Sequence, residues 1–257
     1  MPYIKKTTRS GSLLEIEVYY APNEGKRLER GANASQTVEA MVRENEKNSQ
    51  KRQKRLACAN FSRKNGDLFV TLTFANAVEE DRVEKEIRNL LDRLRRLRKK
   101  KHLKPLRAMV WAECQSCWHL HVLMNGGITF GDLQAVWGDR GRKMTMSIAD
   151  DSQGFGGLIR YVNEEHKARK GGNSGENIKK PREKGAHRWH YTRNLIQPVV
   201  EKHEVNRRLF NREPNQRKGH ILLPDWTDID TRFGVYQYAA YVRQDEEPDH
   251  RISRKKE

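Results

Sequence analysis

The chain has 257 residues, of which 33% are charged and 35% hydrophobic, and 51 Lys and Arg outnumber 34 Asp and Glu. The formal charge of +17 indicates a polyanionic partner, because clusters of lysine and arginine gain affinity by releasing counterions from phosphates. No apolar run reaches the roughly 18 residues of a membrane span, the N-terminus lacks a signal-peptide core, and three cysteines argue against a disulfide framework. We therefore expect a cytoplasmic nucleic-acid-binding protein with no membrane partner.

The first part of the chain, residues 1–55, is predicted to be an extension with one strand and one polar helix. Residues 13–20 alternate in polarity as a strand does, whereas residues 34–57 are charged with sparse apolar anchors. The β-branched, alternating run at 68–74 follows the turn signal Asn65-Gly66-Asp67 and predicts a further strand.

A helix with one apolar stripe is predicted next, from Val83 to Leu97. Its other face is arginine-rich, and it ends in a basic run. That run comprises Arg98, Lys99, Lys100 and Lys101. In the first turns of the helix, the charged side chains are best interpreted as a solvated face. At the lysine-rich end, a solvated face and a contact with phosphate are equal alternatives.

The remaining elements of the central region complete a recognisable order. Strands are predicted at 107–113, 118–124 and 143–149, and helices after the capping residue Thr129 and at 158–165. The order strand, helix, strand, strand, helix, strand, helix predicts an α+β fold, with a ferredoxin-like (split βαβ) antiparallel sheet and helices on its outer face.

The domain organisation follows from these elements. Residues 56–200 are predicted to form the main domain, including a Gly- and Lys-rich basic loop at 168–188. Residues 201–257 are predicted to be a C-terminal extension whose charged tail is disordered.

Two histidines one residue apart mark the strand at 118–124. Because side chains alternate along a strand, His119 and His121 share one face. If the strands pair as a hairpin, the carboxylate of Glu113 can lie close to both imidazoles. Two imidazoles and a carboxylate suit a divalent metal ion. Because the chain is so basic, we expect that metal ion to act on a phosphodiester.

The neighbouring cysteines offer a different interpretation. Cys114 and Cys117, with His119 and His121, supply the ligand types of a structural zinc site. All four lie within eight residues, without the usual long loop between ligand pairs. A non-enzymatic, zinc-stabilised nucleic-acid-binding protein is therefore the alternative function.

If a metal polarises a phosphodiester, a nucleophile must attack it. Tyr161 is the candidate, on the predicted helix at 158–165, and would form a covalent phosphotyrosine. The alternative is an ordinary, half-buried helix tyrosine.

Three segments in order resemble the motifs of the HUH-type rolling-circle replication initiator (Rep) endonucleases of small plasmids and single-stranded DNA phages. They are Phe69-Val70-Thr71-Leu72-Thr73-Phe74, Trp118-His119-Leu120-His121-Val122-Leu123 and Ile159-Arg160-Tyr161-Val162. The later Tyr191-Thr192-Arg193-Asn194-Leu195 is similar to a segment of phage-type members. A relaxase or transposase with the same metal chemistry is a further alternative.

The resemblance implies an HUH endonuclease fold and a sequence- and single-strand-specific nickase and strand transferase that initiates rolling-circle replication. Tyr161 would form a 5′-phosphotyrosine, and Glu113, His119 and His121 would bind Mg²⁺ or Mn²⁺. The DNA, as a single strand or hairpin at an origin, would contact Arg98, Lys99, Lys100, Lys101, Arg160, Lys167 and Arg193.

Two further expectations follow from the same resemblance. A host polymerase would be a partner, because the nick leaves a 3′ hydroxyl for it to extend. A host helicase would be another, because the chain lacks a phosphate-binding Gly-Lys-Ser/Thr loop. The family usually has lysine three residues after the tyrosine, where this chain has Glu164. Either Lys167 substitutes for it, or Glu164 or Glu165 acts differently, or the nucleophile lies elsewhere.

Overall fold

The structure is a computed structural model that describes residues 3–21, 38–114, 117–163, 189–206, 208–231 and 234–244. The chain divides into two compact units, one formed by Thr37–Gln197 and the other by Met1–Gln36 with Pro198–Glu257. The predicted loop at 168–188 and the charged tail from residue 245 lie outside the described residues.

The helices and strands are numbered in chain order. The helices are α1 Val38–Asn60, α2 Glu80–Lys100, α3 Phe130–Trp137 and α4 Gly156–Asn163. The strands are β1 Tyr3–Ser10, β2 Leu13–Tyr20, β3 Leu68–Phe74, β4 Ala108–Cys114, β5 Trp118–Met124, β6 Gly141–Ile148, β7 Trp189–Tyr191, β8 Val199–Val205, β9 His220–Leu222, β10 Thr227–Thr231 and β11 Gly234–Arg243. None of the helices in the described residues is long and apolar enough to cross a bilayer.

The unit formed by residues 37–197 is built on an antiparallel sheet with strand order β6-β3-β5-β4-β7. The four strands from β3 to β6 therefore lie in the order fourth, first, third, second, which is the split βαβ arrangement. The predicted α+β fold with an antiparallel sheet is confirmed.

The two faces of this sheet are separated by residue parity. Even-numbered residues of the central strands, such as Val70, Leu120 and Val122, are buried against α2 and α3. The apolar stripe of α2 packs there as predicted, because its spacing places one face of the helix on the sheet. The odd-numbered residues are thus presented on the other face.

The start of α3 confirms Thr129 as its N-cap. The Thr129 hydroxyl accepts a hydrogen bond from the Asp132 backbone N–H at 3.2 Å, and the Asp132 carboxylate accepts one from the Thr129 N–H at 2.8 Å. This reciprocal capping box satisfies two of the backbone donors that a helix start leaves without intrahelical partners.

The second unit joins the two predicted extensions in one sheet. Its strands follow the order β10-β11-β2-β1-β8, and β9 also pairs with β11, all antiparallel. Strand β2 lies where the alternation at 13–20 predicts it, whereas β1 and β8 to β11 were not predicted. The predicted boundary at residue 55 falls inside the single helix α1, which belongs to the first unit.

Candidate functional site

The candidate site lies on the odd-numbered face of the five-stranded sheet. Strand β5 pairs with β4 on one side and β3 on the other, so that His119 lies between Glu113 and Thr73. In the adjacent row His121 lies beside Thr71. Directly paired residues of an antiparallel sheet share a face. The structure therefore places the three predicted metal ligands on one side of the sheet.

The imidazole of His121 is held on both ring nitrogens. Its Nδ1 is 3.1 Å from the Thr71 hydroxyl, and its Nε2 is 3.3 Å from the Glu113 carboxylate. Both His121 and Glu113 are buried, at 3% and 4% exposure, and the imidazole stacks on Phe69 with ring centres 5.9 Å apart. In one tautomer Nε2 donates to Glu113 and Nδ1 accepts from Thr71. In the other, Nδ1 donates to Thr71 and the Nε2 lone pair is available to a cation held between the ring and the carboxylate.

Like His121, His119 has a threonine hydroxyl beside its Nδ1, but a cysteine lies beside its Nε2. Its Nδ1 is 2.9 Å from the Thr73 hydroxyl, and its Nε2 is 3.9 Å from Cys117 Sγ. Burial lowers the pKa of His119, as does the neighbouring His121, while the Glu113 charge opposes both. A lowered pKa favours the neutral imidazole at pH 7, which is the form that binds a metal ion.

The predicted nucleophile lies against this histidine pair. The ring of Tyr161, on α4, meets the His121 ring edge to face, with centres 5.4 Å apart and planes at 71°. The residue is 45% exposed. Partial burial raises the pKa of Tyr161, and the Glu113 charge raises it further. The phenol therefore keeps its proton until a nearby positive charge favours the phenolate.

These side chains line one cleft of about 290 Å³. Its lining residues are Thr71, Thr73, Glu113, His119, His121, Lys143, Thr145 and Tyr161. Among these, Lys143 is the only Lys or Arg, and the sequence did not lead us to predict its place in the cleft. Parity was the available signal, because Lys143 and Thr145 occupy alternate positions of β6 and pair with Thr73 and Thr71.

A buried glutamine and a partly buried asparagine hold α4 against α1 and the sheet. The side-chain oxygen of Gln53, a fully buried residue, accepts hydrogen bonds from Trp111 Nε1 at 2.7 Å and Asn163 Nδ2 at 2.8 Å. Asn163 is two residues after Tyr161 and also donates to the Ile159 carbonyl at 2.7 Å. This network fixes the C-terminal turn of the helix that carries the phenol.

The two candidate ligand sets differ in how the sheet distributes them. Cys114 pairs with Trp118, so its side chain lies on the face opposite to His119 and His121. The four zinc ligands are thus divided between two faces, while Glu113 shares the histidine face. Within the described ranges, no three His, Cys, Asp or Glu side chains already stand close enough to hold a metal ion.

The predicted DNA-contacting residues occupy several surfaces. Lys99 and Lys100 are exposed at the end of α2, which packs on the opposite sheet face, and Lys101 pairs with Asp132 at 2.5 Å. Arg160 and Arg193 are exposed. Lys167, Glu164 and Glu165 lie outside the described residues.

The expectation that Arg98 contacts DNA is corrected by its burial. Arg98 is only 3% exposed, and its guanidinium donates to the carbonyls of Lys104, Asn125 and Gly126 at 2.7–3.0 Å. A side chain with three internal acceptors does not present its charge to a phosphate. Its role is to join the end of α2 to the loops on either side of the β4–β5 hairpin.

Arg98→Ala is therefore expected to destabilise the protein rather than to weaken DNA binding directly. Removing a buried charge that satisfies three carbonyls should lower the free energy of unfolding by about 3 kcal/mol. Urea unfolding measures this loss, and Lys100→Ala, an exposed change on the same helix, should stay within about 0.5 kcal/mol of wild type. Equal stability of the two variants would contradict the structural role.

The region that carries the site also matches a known family. Residues 67–199, just over half of the chain, match the family model described as Replication-associated protein ORF2/G2P. The match extends from the start of β3 to the first residue of β8 and includes Glu113, both histidines and Tyr161. No curated protein and no solved structure matches the chain significantly.

Proposed function

The chain belongs to the replication-associated protein ORF2/G2P family, and we propose that it is a metal-dependent, single-strand-specific DNA nickase and strand transferase that initiates rolling-circle replication. One observation supports the proposal most strongly. The ring of Tyr161 contacts His121 on the sheet face that also holds Glu113 and His119.

The donor set fits Mg²⁺ or Mn²⁺. One carboxylate and two imidazoles, from Glu113, His119 and His121, are ligands that Mn²⁺ accepts and that leave positions for water and phosphate oxygens. The Thr71 and Thr73 hydroxyls each engage a ring Nδ1, which orients the Nε2 atoms toward the cleft as outer partners of metal ligands usually do. The bound ion would polarise the phosphodiester and offset its negative charge.

The protein's own groups would carry out the bond exchange. The phenol oxygen of Tyr161 bonds to phosphorus, and the bond from phosphorus to the 3′ oxygen breaks. The phenol loses one proton and the departing 3′ oxygen gains one, so that a 5′-phosphotyrosine and a 3′ hydroxyl result. A host polymerase would extend that 3′ hydroxyl, and a host helicase would separate the strands.

A direct test uses a labelled pool of random-sequence single-stranded oligonucleotides with Mn²⁺ and denaturing gel electrophoresis. We expect a protein–DNA adduct that survives denaturation, forms with Mn²⁺ and not with a chelator, and does not form on fully duplex DNA. Tightly bound zinc, with unfolding on chelation and no adduct under any condition, would favour the zinc-binding alternative instead.

Lys143 is expected to contribute to the rate of this reaction. Its ammonium is the positive charge in the cleft wall and can offset charge that develops on the phosphate oxygens. Lys143→Ala should slow adduct formation about 10- to 100-fold, while Lys143→Arg retains most of the rate. The exposed α2 residue Lys85 provides the control, as Lys85→Ala. Equal rates for the two alanine variants would exclude Lys143 from the reaction.

A further inference from the structure

An aromatic pair lies at the β7 edge of the sheet. Trp189 and Tyr191 occupy alternate positions of β7, and their rings stack with centres 4.9 Å apart and planes at 28°. Arg52 of α1 donates from Nη2 to the Tyr191 hydroxyl at 2.9 Å. Its guanidinium carbon lies 5.9 Å and 5.6 Å from the Trp189 and Tyr191 ring centres. We call these three side chains the β7 platform.

The β7 platform is accessible to solvent. Tyr191 is 37% exposed, Arg52 is exposed, and Trp189 is half-buried. Two stacked aromatic rings beside a guanidinium have the composition of a surface on which unpaired nucleobases stack, since every base offers a π-face to an aromatic ring or an arginine plane.

The β7 platform lies on the same sheet face as the candidate site. Trp189 pairs with Trp111 of β4, and Trp111 pairs with His121 of β5. Two strand spacings separate Trp189 from His121 along this row, which is about 10 Å. Between them, Trp111 is buried and its Nε1 donates to Gln53 of α1. A DNA strand held beside Tyr161 would therefore pass around α1 to bring a nearby nucleotide to the platform.

Positive charge adjoins the platform on its other side. Tyr191 also lines a cleft of about 720 Å³ whose walls include Arg95, Lys99 and Arg193. Arg95 is paired with Asp92 at 2.6 Å, while Arg193 and Lys99 are exposed. Aromatic rings next to cationic side chains would contact base and backbone of the same strand.

We propose that the β7 platform is a binding subsite for an unpaired nucleobase of the DNA strand next to the nicked phosphate. The inference rests on the proposed function, which supplies a single-stranded substrate. It also gives a physical reason for strand preference, because a base that is paired and stacked within a duplex has no free π-face to offer to the platform.

The test compares two labelled probes of equal length and charge without metal, an oligothymidylate and an abasic deoxyribose-phosphate strand. Wild-type protein should bind the oligothymidylate about 10-fold more tightly. Trp189→Leu should remove this preference by weakening oligothymidylate binding alone, whereas Trp189→Phe keeps most of it. Phe130→Leu, a change of an exposed aromatic on α3, should have no effect.

The more exposed Tyr191 provides a second variant. Tyr191→Leu should reduce the base preference in the same direction, whether or not the half-buried Trp189 tolerates leucine. Equal binding of both probes by wild type, or equal weakening of both probes by Trp189→Leu and Tyr191→Leu, would overturn the subsite. Adduct formation is scored separately, so its absence with an intact base preference counts against the nickase and not against the platform.

Discussion

Tyr161→Phe is expected to abolish the covalent protein–DNA adduct, by at least about 1,000-fold, without loss of single-strand affinity. Phenylalanine keeps the ring that meets His121 at 5.4 Å and removes only the phenol oxygen. Because the side chain is 45% exposed, stability should stay within about 0.5 kcal/mol of wild type. Denaturing gels measure the adduct, and fluorescence anisotropy measures binding.

Tyr191→Phe is the matched control for that experiment. It removes a phenol oxygen two strands away from β5 and the hydrogen bond from Arg52, but it keeps the ring on which a base would stack. Adduct formation should therefore stay within a few-fold of wild type. An adduct that persists in Tyr161→Phe and disappears in Tyr191→Phe would move the nucleophile to β7 and end the assignment of Tyr161.

Glu113→Gln should have the second large effect, on metal dependence. The substitution keeps the size of the side chain and removes the carboxylate that lies 3.3 Å from His121 Nε2. We expect adduct formation at limiting Mn²⁺ to fall by at least about 100-fold, with partial recovery at high Mn²⁺. Glu84→Gln, an exposed carboxylate change on α2, should leave the Mn²⁺ dependence unchanged.

In the absence of metal, Glu113→Gln is expected to change the pKa of the Tyr161 phenol. The Glu113 charge raises the pKa of Tyr161, so its removal should lower that pKa and let the phenolate form at lower pH. Ultraviolet titration, with Glu113→Gln/Tyr161→Phe as the blank, isolates the contribution of this tyrosine. An unshifted titration together with full Mn²⁺ activity would show that Glu113 is not part of the site.

Local patterns predicted the central elements well. Alternation with β-branched residues predicted β3, and the histidine run predicted β5 with the bounds that the structure has. The family match at residues 67–199 confirms the resemblance to replication initiators. The shared face of Glu113, His119 and His121 also follows from strand parity once the hairpin forms.

Contacts between distant residues were beyond such patterns. Strand β1 pairs with β8 almost 200 residues later. The local sequence of β1 does not indicate which distant strand it pairs with. The buried bonds of Gln53 to Trp111 and Asn163 join three separate elements in the same way. The burial of Arg98 could have been predicted from the sequence. Arg98 follows Leu94 by four residues and so continues the buried stripe of α2.

We propose that the metal ligands and the attacking phenol meet on one sheet face. Mass spectrometry of the protease-digested adduct, formed with Mn²⁺ and random-sequence single-stranded oligonucleotides, tests it most directly. We expect a nucleotide phosphate on the peptide that contains Tyr161, present with Mn²⁺ and lost in Glu113→Gln. A nucleotide on any other residue, or cut DNA that carries no protein, would contradict it.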